Sequence, residues 1–398
     1  MQTIVMFCDQ RWKSVAERPA QFVSHLAQDY HVVYVEEPIA TASEERFLQA
    51  TRVQDNVTIV VPHLSGHPPM GGDNDLSISA TLIRRYLADN SVHEYLAWFF
   101  STSSSGVLAG LSPLATIYDC SHDYSAHRVS QEDSRQRENL LLQRADLVIT
   151  SGPSLGESMR AHHRNVICIP SGVDAIRFSP FSAAKLPDHV EYASNLHRGI
   201  GHPRLGFHGE IDDRLDFELI QALANANLSW HVVLSGPVKE TVRSRLPHGP
   251  NIHFLGASPR RFLPHLVAQW AVCLLPYATN ESTRFLNPSQ ALDYMAYGRA
   301  VVGTPLDDVR ELYGDAIRIA GEPSSFIDAC RACTRGRPSD NKRRDDAAAQ
   351  VVRRSSWPAA MDILDGALEE LRDARKTERS RHAVFHSPSE ATRLVAGN

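Results

Sequence analysis

The chain has 398 residues, of which 42% are hydrophobic, 22% charged and 8% aromatic, and its formal net charge is -5. This length exceeds what one hydrophobic core fills, so we expect two domains of a globular protein. The weakly acidic balance removes the general electrostatic reason to expect a nucleic-acid partner.

The amino-terminal residues lead directly into a short apolar strand, without the charged and apolar leader of a signal peptide. No apolar run approaches the roughly 20 residues that span a bilayer. We therefore expect a cytoplasmic protein. Cys330 and Cys333 form a single CxxC without a second pair, and the 19 histidines are scattered, so we expect no metal centre.

Short apolar strands alternate with helical segments in the first half of the chain. Strands are predicted at Thr3–Cys8, His31–Glu36, Val57–Val61, Tyr95–Phe99, Ala115–Tyr118, Leu147–Thr150 and Val166–Ile169. Helices are predicted at Pro19–Gln28, Ser77–Ala88, Glu132–Arg144 and Ser154–His162. Such alternation is typical of a parallel sheet covered on both faces. A polar stretch with Pro180, Pro187 and Gly199 follows, and we interpret it as a hinge or linker.

A second alternating set begins at Arg204. Strands are predicted at Arg204–His208, His231–Leu234, Ile252–Leu255, Val272–Leu275, Ala300–Val302 and Ala316–Ile319. Helices are predicted at Leu215–Ala226, Lys239–Arg245, Arg260–Gln269, Pro288–Tyr297 and Ser324–Cys333. The fold class is therefore α/β, with two doubly wound, Rossmann-like domains facing an interdomain cleft, because such sheets bind ligands at the carboxyl ends of their strands.

The predicted domains cover residues 1–180 and 200–335. Beyond them the sequence is strongly charged, with helices predicted at Asn341–Arg353 and Pro358–Arg375. We expect residues 336–376 to pack back across the domains, and residues 377–398 to form a loosely ordered tail.

The segment 280–302 indicates a phosphate site. It follows a strand and enters a predicted helix, with Asn287 suited to the N-cap and Pro288 to the first helical position. Free backbone N–H groups at such a helix start bind anions, and Arg284 stands just upstream as a partner for a diphosphate. Gly298 is expected to end the helix. No P-loop, GxGxxG or GxSxG motif occurs.

The Asn287–Gln290 junction and the Asp293–Val302 run, on two Rossmann-like domains, resemble those of bacterial GT-B glycosyltransferases of group 1. The nearest branch is similar to teichuronic-acid and exopolysaccharide transferases. Its hallmarks cover about residues 1 to 335, and they include Arg18–Gln21, Tyr34–Pro38, Tyr118–Cys120 with Asp123, Arg144–Val148, Gly206–Asp216, Leu234–Pro237 and Asn251–Gly256. The resemblance implies sugar transfer from a nucleotide-sugar, usually without a bound metal.

The sequence departs from the family pattern in three places. Position 290 is commonly Lys and is Gln here, which removes one positive charge near the phosphates. Position 293 is commonly Glu and is the shorter Asp here. The EX7E pattern of retaining relatives is absent, because Phe285 stands eight residues before Asp293.

The resemblance assigns the donor to the second domain. The helix that begins at Pro288 would offer N–H groups to the diphosphate, and Arg284 would offset the leaving-group charge. Asp293 would accept hydrogen bonds from ribose, or pair with Arg299 or Arg284; Glu281 would bind sugar hydroxyls or pair with Arg284. The candidate donor residues are Gly209, Arg214, Glu281, Thr283, Arg284, Asn287, Pro288, Ser289, Gln290 and Asp293.

The first domain would bind the acceptor and supply a base. Asp119 and Asp123 follow the Ala115–Tyr118 strand at its carboxyl end, with His122 between them, and any of the three could remove the acceptor proton. Asp119 could instead cap a turn. Arg11, Trp12 and Arg18 are the candidate acceptor-binding residues, although Arg18 could equally be a structural partner of Glu36 or Glu37.

The predicted function is a glycosyltransferase of the hexosyltransferase type. It would move a sugar from a nucleotide-diphosphate-sugar, UDP-linked in the first instance, to a glycan or lipid-linked acceptor in polysaccharide biosynthesis. We expect no cofactor, no metal and no nucleic-acid partner, and peripheral association with the inner face of the membrane if the acceptor is lipid-linked. The alternatives are a nucleotide-sugar epimerase on the same fold, or a degenerate glycosyltransferase that acts as a non-catalytic partner.

Overall fold

The computed structural model describes residues 2–14, 17–42, 44–66, 72–120, 131–180, 186–335 and 338–385. The chain divides into two compact units. Unit 1 comprises Met1–Asp119, Gln136–Ile149 and Met361–Asn398, and unit 2 comprises Cys120–Arg135 and Thr150–Ala360. Each unit is built around one mainly parallel sheet.

The sheet of unit 1 has a fully buried central strand. Its strands are β1 (Thr3–Phe7), β2 (His31–Val35), β3 (Ile39–Thr41), β4 (Phe47–Gln54), β5 (Val57–Ser65), β6 (Tyr95–Phe99), β7 (Ala115–Cys120) and β8 (Leu147–Thr150). They lie in the order β3-β5-β2-β1-β6-β7-β8, and β4 pairs with the other edge of β5. All five residues of β1 are buried, and Thr3 lies opposite His31 and Tyr95 in the parallel register. Strands buried on both faces give the continuous apolar runs from which they were predicted.

The strand β4, which pairs antiparallel with β5, was not predicted from the sequence. Seven of the eight residues of β4 are exposed, so this strand lacks the alternation of apolar and polar residues that marks a half-buried strand. Phe47 stacks on His63 of β5, with ring centroids 4.4 Å apart. The strand is therefore held by backbone pairing and a few cross-strand contacts rather than by burial.

Helices in this part of the chain span Glu17–Leu26, Asp73–Asp89 and Gln131–Arg144, and the last helix of the chain spans Trp357–Phe385. Within unit 1, the last helix contacts residues far away in sequence. Asp365 pairs with His25 at 2.9 Å, and the Arg372 guanidinium lies 4.8 Å from the centroid of the Tyr30 ring. The helix continues past residue 377, where a loose tail was expected, and residues 386–398 of that tail lie outside the described residues.

The sheet of unit 2 has the strand order of a Rossmann fold. A short strand, β9 (Val166–Cys168), precedes this sheet in the chain and is not part of it. Along the chain the six strands of the sheet are β10 (Arg204–His208), β11 (His231–Ser235), β12 (Ile252–Gly256), β13 (Val272–Leu275), β14 (Ala300–Gly303) and β15 (Arg318–Ile319). They lie in the order β12-β11-β10-β13-β14-β15, and every pair is parallel. The order reverses between β10 and β13, and this switch point is where open α/β sheets bind their ligands.

The helices of unit 2 include two that the sequence pattern did not predict. The α-helices given by the described part of the unit are Pro153–Arg160, Pro187–Leu196, Phe217–Ala226, Leu263–Val267, Gln290–Ala296, Asp307–Tyr313, Pro323–Arg335 and Pro338–Arg354. Pro187–Leu196 lies in the stretch that we interpreted as a linker, and Ala193 is its one buried residue, so it has no apolar stripe to detect. Asp307–Tyr313 has seven residues, which is too short for a clear helical period.

The helix Gln290–Ala296 ends as the sequence predicts. Gly298 has a φ of 77°, a value that a residue with a Cβ rarely adopts. Its N–H donates to the Met295 carbonyl at 2.9 Å, and the Arg299 N–H donates to the Tyr294 carbonyl at 2.9 Å. These two bonds form a Schellman motif, which turns the chain towards β14.

No helix in the described ranges has both the length and the apolar character that a membrane span requires.

Candidate functional site

The candidate site in unit 2 lies at the switch point of its sheet. Gly209 follows β10 directly, and Tyr277 lies two residues beyond β13, so both occupy the carboxyl edge between the two strands. An isolated antiparallel bridge joins Leu215 to Tyr277 and ties the loop after β10 to the loop after β13. The loops after β10 and β13 are therefore held against each other by backbone hydrogen bonding.

Glycines allow the loops after β10 and β11 to approach each other closely. Gly209 donates to the Ser235 carbonyl at 3.0 Å, and Gly236 donates to the Gly256 carbonyl at 2.9 Å. A Cβ atom on Gly236 would lie 1.7 Å from the carbonyl oxygen of Gly209, and its φ of 156° already disfavours other residues. The contact between these two loops thus requires glycine at position 236. Gly236 was not among the site residues predicted from the sequence.

Arg214 is held by acidic side chains within its own loop. Its Nε and Nη2 atoms lie 2.9 and 2.6 Å from Oδ2 of Asp212, and Nη2 lies 3.5 Å from Glu210. Burial lowers the pKa of Arg214, but the hydrogen bonds and charge of Asp212 outweigh burial, so the pKa is raised overall. The guanidinium is a fixed positive charge at the switch point.

Gln290 reaches the same place from the start of its helix. Its side-chain amide donates to the Tyr277 hydroxyl, and a Cβ atom on Gly209 would lie 3.4 Å from its Nε2. Burial raises the pKa of Tyr277 to about 12, so this hydroxyl stays protonated at neutral pH. The residue that replaces the common Lys is therefore a neutral donor bonded to a buried phenol.

The loop from Asn280 to Arg284 is a self-contained turn. Asn280 accepts from the Ser282 N–H, and the hydroxyl of Thr283 accepts from the Asn280 N–H in a capping box. Thr283 is fully buried and its hydroxyl also donates to the Ala278 carbonyl, so its side chain holds the turn. Glu281 and Arg284 form the ion pair considered as an alternative from the sequence, at 3.7 Å, and Arg284 keeps 60% of its side chain exposed.

Asn287 is not the N-cap that we predicted. The helix begins at Gln290, and its cap residue, Ser289, makes no side-chain capping bond. The amide of Asn287 instead donates to the Ser151 carbonyl at 2.9 Å, and its Oδ1 accepts from the Tyr313 hydroxyl at 2.8 Å. These distant partners use both polar atoms of the Asn287 side chain. Pro288 is buried, and Ser289 is exposed.

Asp293 is paired with a residue that the sequence analysis did not consider. The carboxylate is 4% exposed, and Oδ2 lies 3.2 Å from Nη2 of Arg260. Of the two partners expected from the sequence, Arg299 donates to the Ala268 carbonyl at 2.7 Å and Arg284 pairs with Glu281. A separation of 33 residues between the partners gave no local spacing from which to predict them.

His208 ends β10 beside this pair. Its backbone N–H donates to the Tyr294 hydroxyl at 2.8 Å, while its buried Nδ1 has no hydrogen-bond partner among the residues that the structure describes. Burial, with a smaller contribution from the charge of Arg260, lowers the pKa of His208 to about 4. The imidazole is therefore neutral at physiological pH.

In unit 1, Arg11 and Trp12 follow β1 and are fixed by the loop after β2. Arg11 pairs with Glu36 at 2.9 Å and donates to the Glu37 carbonyl at 2.7 Å. The backbone N–H of Trp12 donates to the Glu36 carboxylate at 2.8 Å. The indole ring of Trp12 packs edge-on against the Tyr34 ring, with centroids 5.2 Å apart. These two candidate acceptor residues thus lie together at one end of the sheet.

Arg18 and Asp119 form a buried ion pair. Nε and Nη2 of Arg18 lie 3.2 Å from Oδ1 and Oδ2 of Asp119, and the guanidinium lies 4.7 Å from the centroid of the Phe22 ring. Burial raises the pKa of the fully buried Asp119, and Arg18 partly offsets this rise. Arg18 thus has a buried structural partner, Asp119, which the sequence did not indicate. His122 and Asp123 lie outside the described residues.

The structure thus brings together part of the predicted donor set. Gly209, Arg214 and Gln290 meet around Tyr277. Glu281 and Arg284 pair with each other in the neighbouring turn, and the roles of all these residues as ligand contacts stay predictions. Within the described ranges, no group of three or more His, Cys, Asp or Glu residues is arranged to hold a metal ion.

Part of the chain matches a known family. Residues 202–335 match the family described as glycosyl transferases group 1. This range contains β10 to β15 and all the candidate donor residues.

One curated relative is TuaH of Bacillus subtilis, described as a putative teichuronic acid biosynthesis glycosyltransferase. It is 25% identical over 234 residues, which cover 54% of this chain and 57% of TuaH. The match thus spans little more than half the length of that relative.

The fold is that of GT-B enzymes. Sucrose-phosphate synthase from Thermosynechococcus elongatus has a TM-score of 0.72 at 14% identity, over 94% of this chain and 100% of that one. HepE from Anabaena, solved with UDP and glucose, has a TM-score of 0.67 at 16% identity, over 92% of this chain and 99% of that one. The predicted α/β class and the GT-B fold are confirmed.

We predict that Asp119→Ala lowers the free energy of unfolding by about 3–5 kcal/mol, because Arg18 would remain buried without its counter-charge. The double variant Arg18→Met, Asp119→Leu removes both charges and should recover most of that loss. Urea unfolding followed by tryptophan fluorescence measures both. The double variant also tests the base assignment: if Asp119 is the base, this stable protein loses transfer activity by about 10²-fold or more.

We also predict that acid weakens the fold through His208. The unfolded imidazole binds a proton below its ordinary pKa of 6.5, whereas the folded one stays neutral to about pH 4. The contribution of His208 to the free energy of unfolding is therefore fully present above pH 6.5. It decreases by about 3 kcal/mol as the pH falls from 6.5 to 4. His208→Gln should flatten the pH profile of the unfolding free energy by that amount, and parallel profiles for the two proteins would contradict the assignment.

Proposed function

Because residues 202–335 form a glycosyl transferase group 1 domain in a chain with the GT-B fold, we propose that the protein transfers a sugar from a nucleotide-diphosphate-sugar to a glycan or lipid-linked acceptor. The observation that carries the proposal is the meeting of Gly209, Arg214 and Gln290 at the switch point of the unit 2 sheet. A glycine backbone, a fixed cation and neutral donors are what a nucleotide diphosphate requires.

We propose UDP as the nucleotide and polysaccharide biosynthesis as the pathway class. The names of the relatives support this choice: HepE was solved with UDP-glucose, and TuaH is described by its role in teichuronic acid biosynthesis. A lipid-linked acceptor would bring the protein to the inner face of the membrane.

The leaving diphosphate develops negative charge as the sugar departs, and a metal-free reaction needs protein groups to stabilise it. Arg214 is fixed for this role, and Arg284 is exposed in the turn that follows β13. Since no cofactor is proposed, these two arginines would supply the stabilisation.

The acceptor would bind near Arg11 and Trp12, whose ring suits a pyranose face. Transfer to a hydroxyl requires removal of its proton as the new bond forms. Asp119 is buried against Arg18, which disfavours it as that base. The sequence position of Asp123 after β7 makes it the proposed base, with His122 as the alternative.

The direct test is release of nucleotide diphosphate from a panel of nucleotide-sugars, with and without glycan or lipid-linked acceptors. Release that depends on an acceptor supports the proposal. Conversion of the nucleotide-sugar to a stereoisomer without acceptor would instead identify an epimerase. No reaction with any donor, together with no binding of UDP or GDP, would identify a non-catalytic relative.

Arg284→Ala should lower turnover by about 10²-fold if its charge stabilises the leaving group. Arg243→Ala is the matched control, because Arg243 is 62% exposed and pairs with Glu240 three residues earlier, as Arg284 does with Glu281. The control should keep its turnover. A loss below about threefold for Arg284→Ala, measured on the same donor and acceptor, would remove Arg284 from this role.

A further inference from the structure

The guanidinium of Arg214 is occupied along one edge and open along the other. Asp212 accepts from Nε and Nη2, which form one edge of the planar group. Within the described part of the chain, Nη1 makes no hydrogen bond and Nη2 has a second, longer contact at 3.5 Å to Glu210. The edge that carries Nη1 thus keeps hydrogen-bond donors for a ligand.

Asp212 is itself fixed by the loop after β10. It is 6% exposed, and its Oδ1 accepts from the Arg214 backbone N–H at 3.0 Å. Its own carbonyl accepts from the Leu215 N–H at 3.2 Å. Because one backbone N–H holds the carboxylate and another holds the main chain of Asp212, this residue can in turn fix the direction in which the Arg214 side chain extends.

A second pair links this loop to the loop after β11. Lys239 lies 3.0 Å from Glu210, and its backbone N–H donates to the Ile211 carbonyl at 3.0 Å. Glu210 thus stands between Lys239 and Arg214. Cations and carboxylates alternate along this row, and the two cations share Glu210, which lies 3.0 Å from Lys239 and 3.5 Å from Arg214.

Because residue 290 is a neutral Gln, the positive charge of Arg214 matters more for binding a diphosphate at this site. Gln290 contributes no charge, and it is bonded to Tyr277, on which the charge of Arg214 also acts. The Arg214 carbonyl accepts from the Ala278 N–H at 2.8 Å, which keeps its backbone against the loop after β13. Arg214 is therefore the charged group that is tied to both loops of the switch point.

We propose that Asp212 is the positioning residue of the donor site, which holds Arg214 so that the open edge of its guanidinium contacts the donor diphosphate. The inference rests on the proposed function. An arginine has many rotatable bonds, and it binds a phosphate in a two-pronged manner only when its plane has the correct direction. A carboxylate on the opposite edge fixes that plane before the ligand arrives.

The alternative role for Asp212 is to neutralise Arg214, and binding measurements distinguish the two. The probes are UDP, which carries the diphosphate, and uridine, which lacks it, each titrated into the full-length protein by calorimetry. If Asp212 positions Arg214, Asp212→Asn weakens UDP binding by about tenfold and leaves uridine binding unchanged. If Asp212 only neutralises Arg214, UDP binds the variant more tightly, which overturns the inference.

The matched control is Asp213→Asn, because Asp213 is exposed, adjacent, and loses the same charge. It should leave both affinities unchanged. Asp212→Glu keeps the carboxylate and should recover UDP affinity to within about threefold of the wild type. In an Arg214→Ala background, Asp212→Asn should have no further effect on UDP, since the group to be positioned is gone.

Other outcomes also decide the matter. Equal loss of UDP and uridine in Asp212→Asn, with a lower unfolding temperature, would show a merely structural residue and overturn the inference. Unchanged UDP affinity would do the same. Should Asp212→Asn not fold, Asp212→Ser carries the test, because it also removes the carboxylate: a selective loss of UDP affinity supports positioning, and unchanged affinity or equal loss of both ligands contradicts it. No saturable binding of UDP or uridine to the wild type would contradict the proposed function itself.

Discussion

The parallel sheet of unit 2 is the constraint on which the candidate site depends. Since every strand runs in the same direction, every loop that follows a strand lies at one edge, and the reversal of order between β10 and β13 opens that edge to a ligand. Close contact between the loops after β10 and β11 then requires glycine, because a Cβ atom on Gly236 would lie 1.7 Å from the Gly209 carbonyl oxygen. The positions of the polar side chains follow from this arrangement, because Arg214 lies in the loop after β10 and Gln290 at the start of the helix that precedes β14.

Most of the sheet could be predicted because its strands are buried on both faces and therefore appear as continuous apolar runs. The Schellman turn at Gly298 was predictable for a related reason, since glycine is the residue that most often follows the last turn of a helix. Two of the elements that escaped prediction have little burial: β4 is almost wholly exposed, and the helix Pro187–Leu196 buries one residue. The spacing of apolar residues in a sequence reflects which face of a helix or strand is buried. Elements that bury few side chains therefore lack the periodic pattern from which they could be predicted.

The same distinction applies to the side chains of the site. Partners within a few residues, such as Glu281 with Arg284 or Asp212 with Arg214, could be anticipated from spacing alone. Asp293 with Arg260 and Arg18 with Asp119 could not, because their separations of 33 and 101 residues are bridged only by the fold. The N-cap prediction for Asn287 was wrong because it considered only neighbours in sequence. The side-chain atoms of Asn287 instead form hydrogen bonds with Ser151 and Tyr313.

Arg214, Arg260 and Arg284 already have carboxylate partners, which at first sight argues against an anion site. An edge whose cations are paired in this way carries little net charge. Such an edge has little attraction for an arbitrary anion, because the long-range field of paired charges is small. A ligand gains only through direct hydrogen bonds to the remaining donors, and those bonds are directional. Pairing therefore replaces non-specific attraction with geometric selection, which suits a site that must distinguish a nucleotide diphosphate from the many other phosphates of a cell.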